Sequence, residues 1–286
     1  MLMATLAGLF CAMLLQQASP AVTVAARDIR PGEVMLVTID ARPSDAPVTV
    51  RALDRDWPVY AVRPGQWRAL VGIDLDTRPG PHAMIVTTQS GRLDYPLDVQ
   101  RRVFPTRKLT VDPDLVHPPP EALERIERET KALQQIWSAS SPDRSWTAFV
   151  RPVPDEANSA FGTRSIYNGE QRSPHTGADF LSPAGRPVKA PAAGRVVLAA
   201  SLYFTGNTVI IDHGMGLFSL LAHLSEIDAH AGATVAAGDV VGKVGATGRV
   251  TGPHLHWTVR LNGARVDPLS LLYVTRSAPD AEHERQ

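Results

Sequence analysis

Cysteine is almost missing from this chain of 286 residues: Cys11, inside an apolar stretch at the start, is the only one. A single thiol forms no intramolecular disulfide, and its loss with a leader would leave a mature chain with none, which fits export without requiring it. Net charge is missing as well, because 29 basic residues balance 29 acidic ones. That balance excludes a nucleic-acid binder working through a strong basic field, and any attraction to an anionic polymer has to be local. A membrane-length apolar run is also lacking at the start. Met1 to Leu15 is uncharged but too short to span a bilayer comfortably. The small residues of Gln16-Gln17-Ala18-Ser19-Pro20-Ala21 follow it, so residues 1–21 read as a secretory signal peptide, with the mature protein starting near residues 19–27. No Lys or Arg precedes the apolar run, which leaves an uncleaved anchor as the alternative, and Leu9-Phe10 before Cys11 is a poor lipoprotein cleavage box.

A hydrophobic fraction of 44% is enough to bury real cores, and the length has room for two compact units. Between residues 22 and 105, short apolar runs (Val34 to Ile39, Val48 to Leu53, Trp67 to Ile73, Met84 to Thr88, Leu93 to Val99) alternate with Pro31-Gly32, Pro64-Gly65 and Pro79-Gly80-Pro81. Short strands punctuated by Pro/Gly turns predict an immunoglobulin-like β-sandwich. It holds no clustered His, Cys or paired carboxylates, so a packing or targeting module is expected. Residues 106–145 form a linker. Pro118-Pro119-Pro120 stops any sheet there, and Leu123, Ile126, Leu133, Ile136 and Trp137 recur near helical spacing. The apolar stripe of that amphipathic helix is expected to pack on one domain rather than act as a regulatory arm over a groove. From residue 146 to 274, Gly-bounded β-branched runs such as Gly194-Arg195-Val196-Val197 and Gly238-Asp239-Val240-Val241 predict a compact antiparallel β unit, so the chain as a whole is all-β with one helical linker. Residues 275–286 lack periodicity and read as a disordered tail.

Two histidines separated by one residue stand in Gly252-Pro253-His254-Leu255-His256-Trp257. The side-chain period of a strand is two, so His254 and His256 share a face. Two imidazoles side by side on a buried strand are costly unless a metal or a reacting group uses their nitrogens. Upstream, His175-Thr176-Gly177-Ala178-Asp179 sets a His and an Asp four apart among Pro and Gly neighbours that argue against a helix. In extended chain this even offset again gives one face. Two imidazoles and one carboxylate make a three-ligand zinc set with a coordination position open, the arrangement of a catalytic site.

These residues resemble the lysostaphin-type (LytM-like) zinc metallopeptidases that act on bacterial peptidoglycan, over roughly Phe149 to Leu272. The resemblance makes residues 146–274 the zinc metallopeptidase domain. It implies His175, Asp179 and His256 as ligands of one Zn2+ per chain, and His254 and His223 (in Leu221-Ala222-His223-Leu224) as catalytic residues that do not bind metal. The flanking runs Phe161-Gly162-Thr163-Arg164, Val209-Ile210-Ile211-Asp212-His213-Gly214 and Gly248-Arg249-Val250-Thr251 also look like the family.

The mechanism implied is metal-assisted amide hydrolysis. No Glu sits in an HExxH helix to act as general base, so one of His223 and His254 takes the proton from water, and the other, or both, steadies the oxyanion. His213 is expected to brace the site. His82, His117, His230 and His283 stand singly in turns, linkers or the tail and are read as surface residues. Asn168, Tyr203 and Asn207 are candidates for lining the substrate groove, with ordinary turn chemistry as their other reading. The expected activity is an endopeptidase cutting peptide cross-links or stem peptides of peptidoglycan in a monomeric, exported periplasmic or cell-envelope protein. No nucleic acid is involved, and there is room for a regulatory envelope partner. Two other classes compete: a metal-free relative that activates a wall amidase, and a phosphocarrier using His223 and His254. The intact five-residue set favours the enzyme.

Overall fold

The computed structural model of the protein describes residues 20–110, 117–158 and 161–276. The expected leader up to Ser19, with Cys11, and the expected tail from Ser277 onward, with His283, lie outside the described residues.

The N-terminal strands are β1 (Ala21–Ala26), β2 (Val34–Asp40), β3 (Thr49–Ala52), β4 (Arg55–Trp57), β5 (Val59–Arg63), β6 (Gln66–Gly72), β7 (Gly80–Thr88) and β8 (Gly91–Val99). They form two four-stranded antiparallel sheets, in the orders β1-β2-β6-β5 and β4-β3-β7-β8. In β3, side chains alternate between exposed and buried, as expected for a strand with one covered face. The inward set of one sheet (Val50, Trp57, Met84, Val86, Leu97) and that of the other (Met35, Val37, Ile39, Ala69, Val71) belong to one core. Ala21, the last residue of the expected leader, opens β1 and pairs with Asp40.

Strand β9 (Thr106–Leu109) follows, within the expected linker, and then helix α1 (Pro120–Ser138). The Pro118-Pro119-Pro120 run makes a natural helix start, since Pro at the first helical position has no N–H to leave unbonded. Leu133, Ile136 and Trp137 pack against Ile210, Phe218, Leu220 and Ala222, and the Trp137 ring meets Phe218 edge-on at 5.3 Å. The stripe is thus laid on the downstream sheet.

The downstream strands are β10 (Arg164–Tyr167), β11 (Glu170–Gln171), β12 (Gly177–Phe180), β13 (Pro187–Lys189), β14 (Gly194–Leu202), β15 (Gly206–Gly214), β16 (Leu217–Ile227), β17 (Thr234–Val235), β18 (Val240–Val244), β19 (Leu255–Leu261) and β20 (Ala264–Val266), and α2 (Pro268–Arg276) ends the described chain. Nine strands run in the order β12-β19-β16-β15-β14-β17, with β13, β18 and β20 attached at the side. The remaining two, β10 and β11, join β9 in a small separate sheet, in which β9 runs parallel to β10, an exception to the otherwise antiparallel pairing. Helix α2 carries the chain two residues into the expected tail, with Thr275 buried and bonded to the Leu271 carbonyl at 2.9 Å.

Polar bonds tie the N-terminal sheets to the C-terminal strands and α2. Arg265 chelates Asp74 through two nitrogens, at 2.6 and 3.2 Å. Arg27 bridges Glu33 at 2.7 Å and Asp267 at 2.6 Å. The Val34 N–H donates to Ser270 Oγ at 2.9 Å. Bidentate and charge-assisted bonds of this kind fix orientation as well as adding stability.

Candidate active site

Three neighbouring strands, β12, β19 and β16, carry the floor of the site. Asp179 on β12 is the register partner of His256 on β19, and His256 in turn faces Ala222 on β16, one residue before His223. On β19 the buried Leu255 and Trp257 alternate with His256, so the apolar residues anchor the strand while the imidazole faces a cavity. Trp257 is fully buried, and removing its ring would cost about 3–5 kcal/mol. His175 precedes β12 and is held by backbone bonds, its N–H to the Thr163 carbonyl at 2.9 Å and its carbonyl to the Gly162 N–H at 2.7 Å.

Glycine is needed between His175 and Asp179. A Cβ on Gly177 would lie 2.4 Å from the Trp257 carbonyl oxygen and 2.8 Å from His256 Cε1, so the missing side chain is what lets the His256 ring lie against β12.

Three electron-pair donors converge. His175 Nε2 is 3.0 Å from Asp179 Oδ1 and 3.1 Å from His256 Nδ1, and His256 Nδ1 is 2.7 Å from Asp179 Oδ1. The Thr258 hydroxyl, 2.8 Å from His256 Nε2, can take the proton on that nitrogen, which leaves Nδ1 presenting a lone pair to the other two donors. Such a cluster of lone pairs calls for a cation, and two imidazoles with one carboxylate suit a metal ion. With no cation bound, an imidazole N–H can face Asp179 instead; burial alone would raise its carboxyl, but bonds of that kind from His175 and His256 outweigh burial and hold the group well below the usual carboxylate range. Burial also pushes the His256 imidazole down, so its nitrogen stays free of a second proton and available as a donor.

His223 and His254 flank the cluster. Their rings lie 4.8 Å apart, and His254 Nε2 is 3.9 Å from Asp179 Oδ1. Each has its other nitrogen beside a backbone carbonyl: His223 Nδ1 at 2.9 Å from Thr247 O, and His254 Nδ1 at 2.9 Å from Gly252 O. A carbonyl only accepts, so in its neutral form each ring carries the proton on Nδ1 and has its lone pair on Nε2. Burial lowers the His223 pKa to about 4. His223 also has φ of +64°, a left-handed backbone that non-glycine residues seldom adopt, held by its N–H bond to Thr205 O at 2.9 Å. The pairing of β16 is irregular close by, with a register shift between Leu224 and Glu226.

All five residues line one cavity of about 580 Å³. Asn158, Thr163, Tyr167, Phe204, Arg249 and Arg107 also line it, and none of these was singled out by sequence as a groove residue. Arg107 arrives from β9, and only long-range pairing brings it there; Arg249 lies in the run before His254. Asn168, Tyr203 and Asn207 are placed elsewhere. Asn168 has φ of +51° in the β10–β11 turn and lines a separate hollow with Lys108. The Tyr203 N–H is bonded to Glu129 of α1 at 2.8 Å, and the Asn207 N–H to Thr247 Oγ1 at 2.9 Å. His213 lies on β15 and is fully buried. Its Nδ1 is 2.8 Å from Ala193 O and its Nε2 2.9 Å from Ser219 Oγ, which also accepts the Trp257 indole N–H at 3.1 Å. This chain of bonds braces β19 from its buried side.

The model of "Peptidase family M23" matches residues 173–268. Over 108 residues the chain is 43% identical to the DD-carboxypeptidase/endopeptidase Mpg of Neisseria meningitidis, covering 38% of this chain and 25% of that protein. Over 139 residues it is 34% identical to the peptidoglycan DD-endopeptidase ShyA of Vibrio cholerae, covering 48% and 30%. The chain thus spans roughly a quarter to a third of the length of these curated relatives. A crystal structure of a Pseudomonas aeruginosa chain assigned to peptidase M23 superposes with a TM-score of 0.67 at 36% identity, over 86% of this chain and 96% of that one. With its donor cluster inside the matched segment and this likeness extending over nearly the whole of a solved relative, the chain belongs to peptidase family M23.

Proposed function

We propose that this chain is a zinc-dependent endopeptidase that hydrolyses peptide cross-links or stem peptides of bacterial peptidoglycan. In this reading it is exported to the periplasm or cell envelope after loss of a leader, and the N-terminal sheets form an immunoglobulin-like packing or targeting module. The observation that carries the proposal is the convergence of His175, Asp179 and His256 beside two further imidazoles whose Nε2 lone pairs are free of the backbone. The names of the Neisseria and Vibrio relatives support the substrate class.

His175 Nε2, Asp179 Oδ1 and His256 Nδ1 would hold the ion. A zinc ion held there would supply Lewis acidity toward the carbonyl and would make water acidic enough to act near neutral pH. The remaining chemistry belongs to the chain. One of His223 and His254, neutral and proton-accepting at Nε2, takes the proton from the attacking water. The other can steady negative charge on the carbonyl oxygen only as imidazolium, with a second proton on Nε2, and the proton taken from water passes from the first ring to the leaving amine. The backbone carbonyls of Thr247 and Gly252 hold the proton of each ring on Nδ1, the tautomer that the base requires.

Digestion of isolated peptidoglycan by the purified, zinc-loaded protein, followed by mass spectrometry of the fragments, tests the proposal. Release of fragments with new peptide termini, lost on chelation and restored by zinc, is expected. Intact cross-links and stem peptides after incubation with zinc-loaded protein would refute it, and an amidase activator acting alone would give that result.

A further inference from the structure

We propose that Glu129, on helix α1, is a positioning residue for His223 and acts through the turn between β14 and β15. The proposal rests on the peptidase reading, in which His223 takes part in proton transfer, and it gives the helix a role beyond covering the sheet.

From Val197 onward, β15 is the only strand paired with β14 among the described residues, so the other edge of β14 needs partners of a different kind. Two side chains one helical turn apart on α1 supply them. Arg125 Nη2 donates to the Ser201 carbonyl at 3.0 Å, and Glu129 Oε2 accepts the Tyr203 N–H at 2.8 Å. The second oxygen of Glu129 accepts from Arg125 Nε at 2.6 Å, so the carboxylate is oriented from both sides. Two other pairs on the helix, Glu124 with Arg128 and Glu127 with Lys131, have well-exposed side chains and are of the kind that contributes little, whereas the Glu129 side chain is only 19% exposed.

The turn held in this way carries the supports of His223. Thr205 O, two residues beyond Tyr203, accepts the His223 N–H at 2.9 Å, the bond that holds its left-handed backbone. Gly206 is pressed onto Thr247, since a Cβ there would lie 2.3 Å from Thr247 Oγ1, and the Thr247 carbonyl takes the Nδ1 proton of the His223 ring. Thr247 Oγ1 accepts the Asn207 N–H at 2.9 Å and donates to Leu224 O at 2.8 Å, beside His223. Backbone and ring of His223 are thus both fixed by the turn or by the residue packed on it, and a shift of the turn reaches Nε2. An imidazole that moves a proton has to be held to within about 0.5 Å, and displacement by about 1 Å can cost 10²-fold in rate. Glu129 lies upstream of the matched segment 173–268, so this support comes from chain outside the catalytic segment.

The test uses the zinc-loaded full chain, unmutated and as Glu129→Ala, Glu129→Gln and the exposed control Glu127→Ala, with two readouts. Amide hydrogen exchange needs no substrate. In Glu129→Ala the His223 N–H should exchange about 5- to 10-fold faster, the worth of one lost hydrogen bond in its support, while the His175 N–H, bonded to Thr163 O, keeps its rate. Kinetics on soluble cross-linked peptides released from peptidoglycan should show kcat lowered about 10- to 100-fold, with KM within about 2-fold and zinc content unchanged. Gln keeps an oxygen for the Tyr203 N–H and should restore most of both readouts. An unchanged His223 exchange rate in Glu129→Ala, equal acceleration at His223 and His175, an unchanged kcat beside faster exchange, no recovery with Gln, or the same losses in Glu127→Ala would each overturn the proposal. If the unmutated protein cleaves no peptide, the peptidase reading fails instead, and the exchange rates alone decide whether α1 positions His223.

Discussion

Asp179 and His256 are register partners on adjacent strands, and Asp179 Oδ1 lies 2.7 Å from His256 Nδ1. Cross-strand pairing, rather than a loop, therefore fixes two of the three donor atoms relative to each other, and the site inherits the rigidity of the sheet. The purified protein should carry about one zinc per chain, and Asp179→Ala should lose it. Elemental analysis showing full zinc occupancy in that variant would remove Asp179 from the ligand set.

Gly177 gives a sharper test of the same geometry, because the change adds a single carbon and removes no donor. The Cβ introduced by Gly177→Ala would press on the Trp257 carbonyl and on the His256 ring, and overpacking of this kind costs about 1–3 kcal/mol. Weaker zinc retention against a chelator is expected, together with a lower unfolding midpoint. Unchanged values for both would show that β12 and β19 can move apart freely.

The pairs His175/Asp179 and His254/His256 were legible because their spacing is local: an even offset in extended chain puts two side chains on one face. The β runs starting at Val34, Val48, Trp67 and Met84 were legible for the same reason, since their apolar residues and Pro/Gly boundaries are local signals. The approach of His223 was not readable from periodicity, because it depends on a left-handed residue within β16; the resemblance supplied it. Arg107 escaped notice because only the parallel pairing of β9 with β10 brings it to the cavity, and no local pattern encodes a long-range parallel contact. The short strands β4 and β5 went unread, β4 with too few residues to show alternation and β5 with no fully buried residue to mark a covered face, and the start of β1 was folded into the expected leader.

His213 predicts a pH dependence of stability. Burial lowers its pKa from 6.5 to about 4, against the raising effects of the Ala193 bond and of Asp212. Above pH 6.5 the ring is neutral in folded and unfolded chains alike and adds no slope. Between pH 6.5 and 4 the unfolded chain binds a proton that the folded chain does not, so stability falls as pH falls, by a total on the order of 3 kcal/mol. Urea unfolding at pH 7 and pH 4.5 should show a smaller loss in His213→Gln than in the unmutated protein. An equal loss in both would mean that the buried ring takes up its proton while folded.

The central claim is that His175, Asp179 and His256 hold the metal while His223 and His254 move protons. The most direct measurement is zinc content and peptidoglycan turnover of His223→Ala and His254→Ala side by side. Both variants should keep their zinc and lose turnover by a factor on the order of 10² to 10⁴, the usual worth of a positioned acid or base. Zinc-loaded variants that both digest peptidoglycan at the unmutated rate would contradict the account.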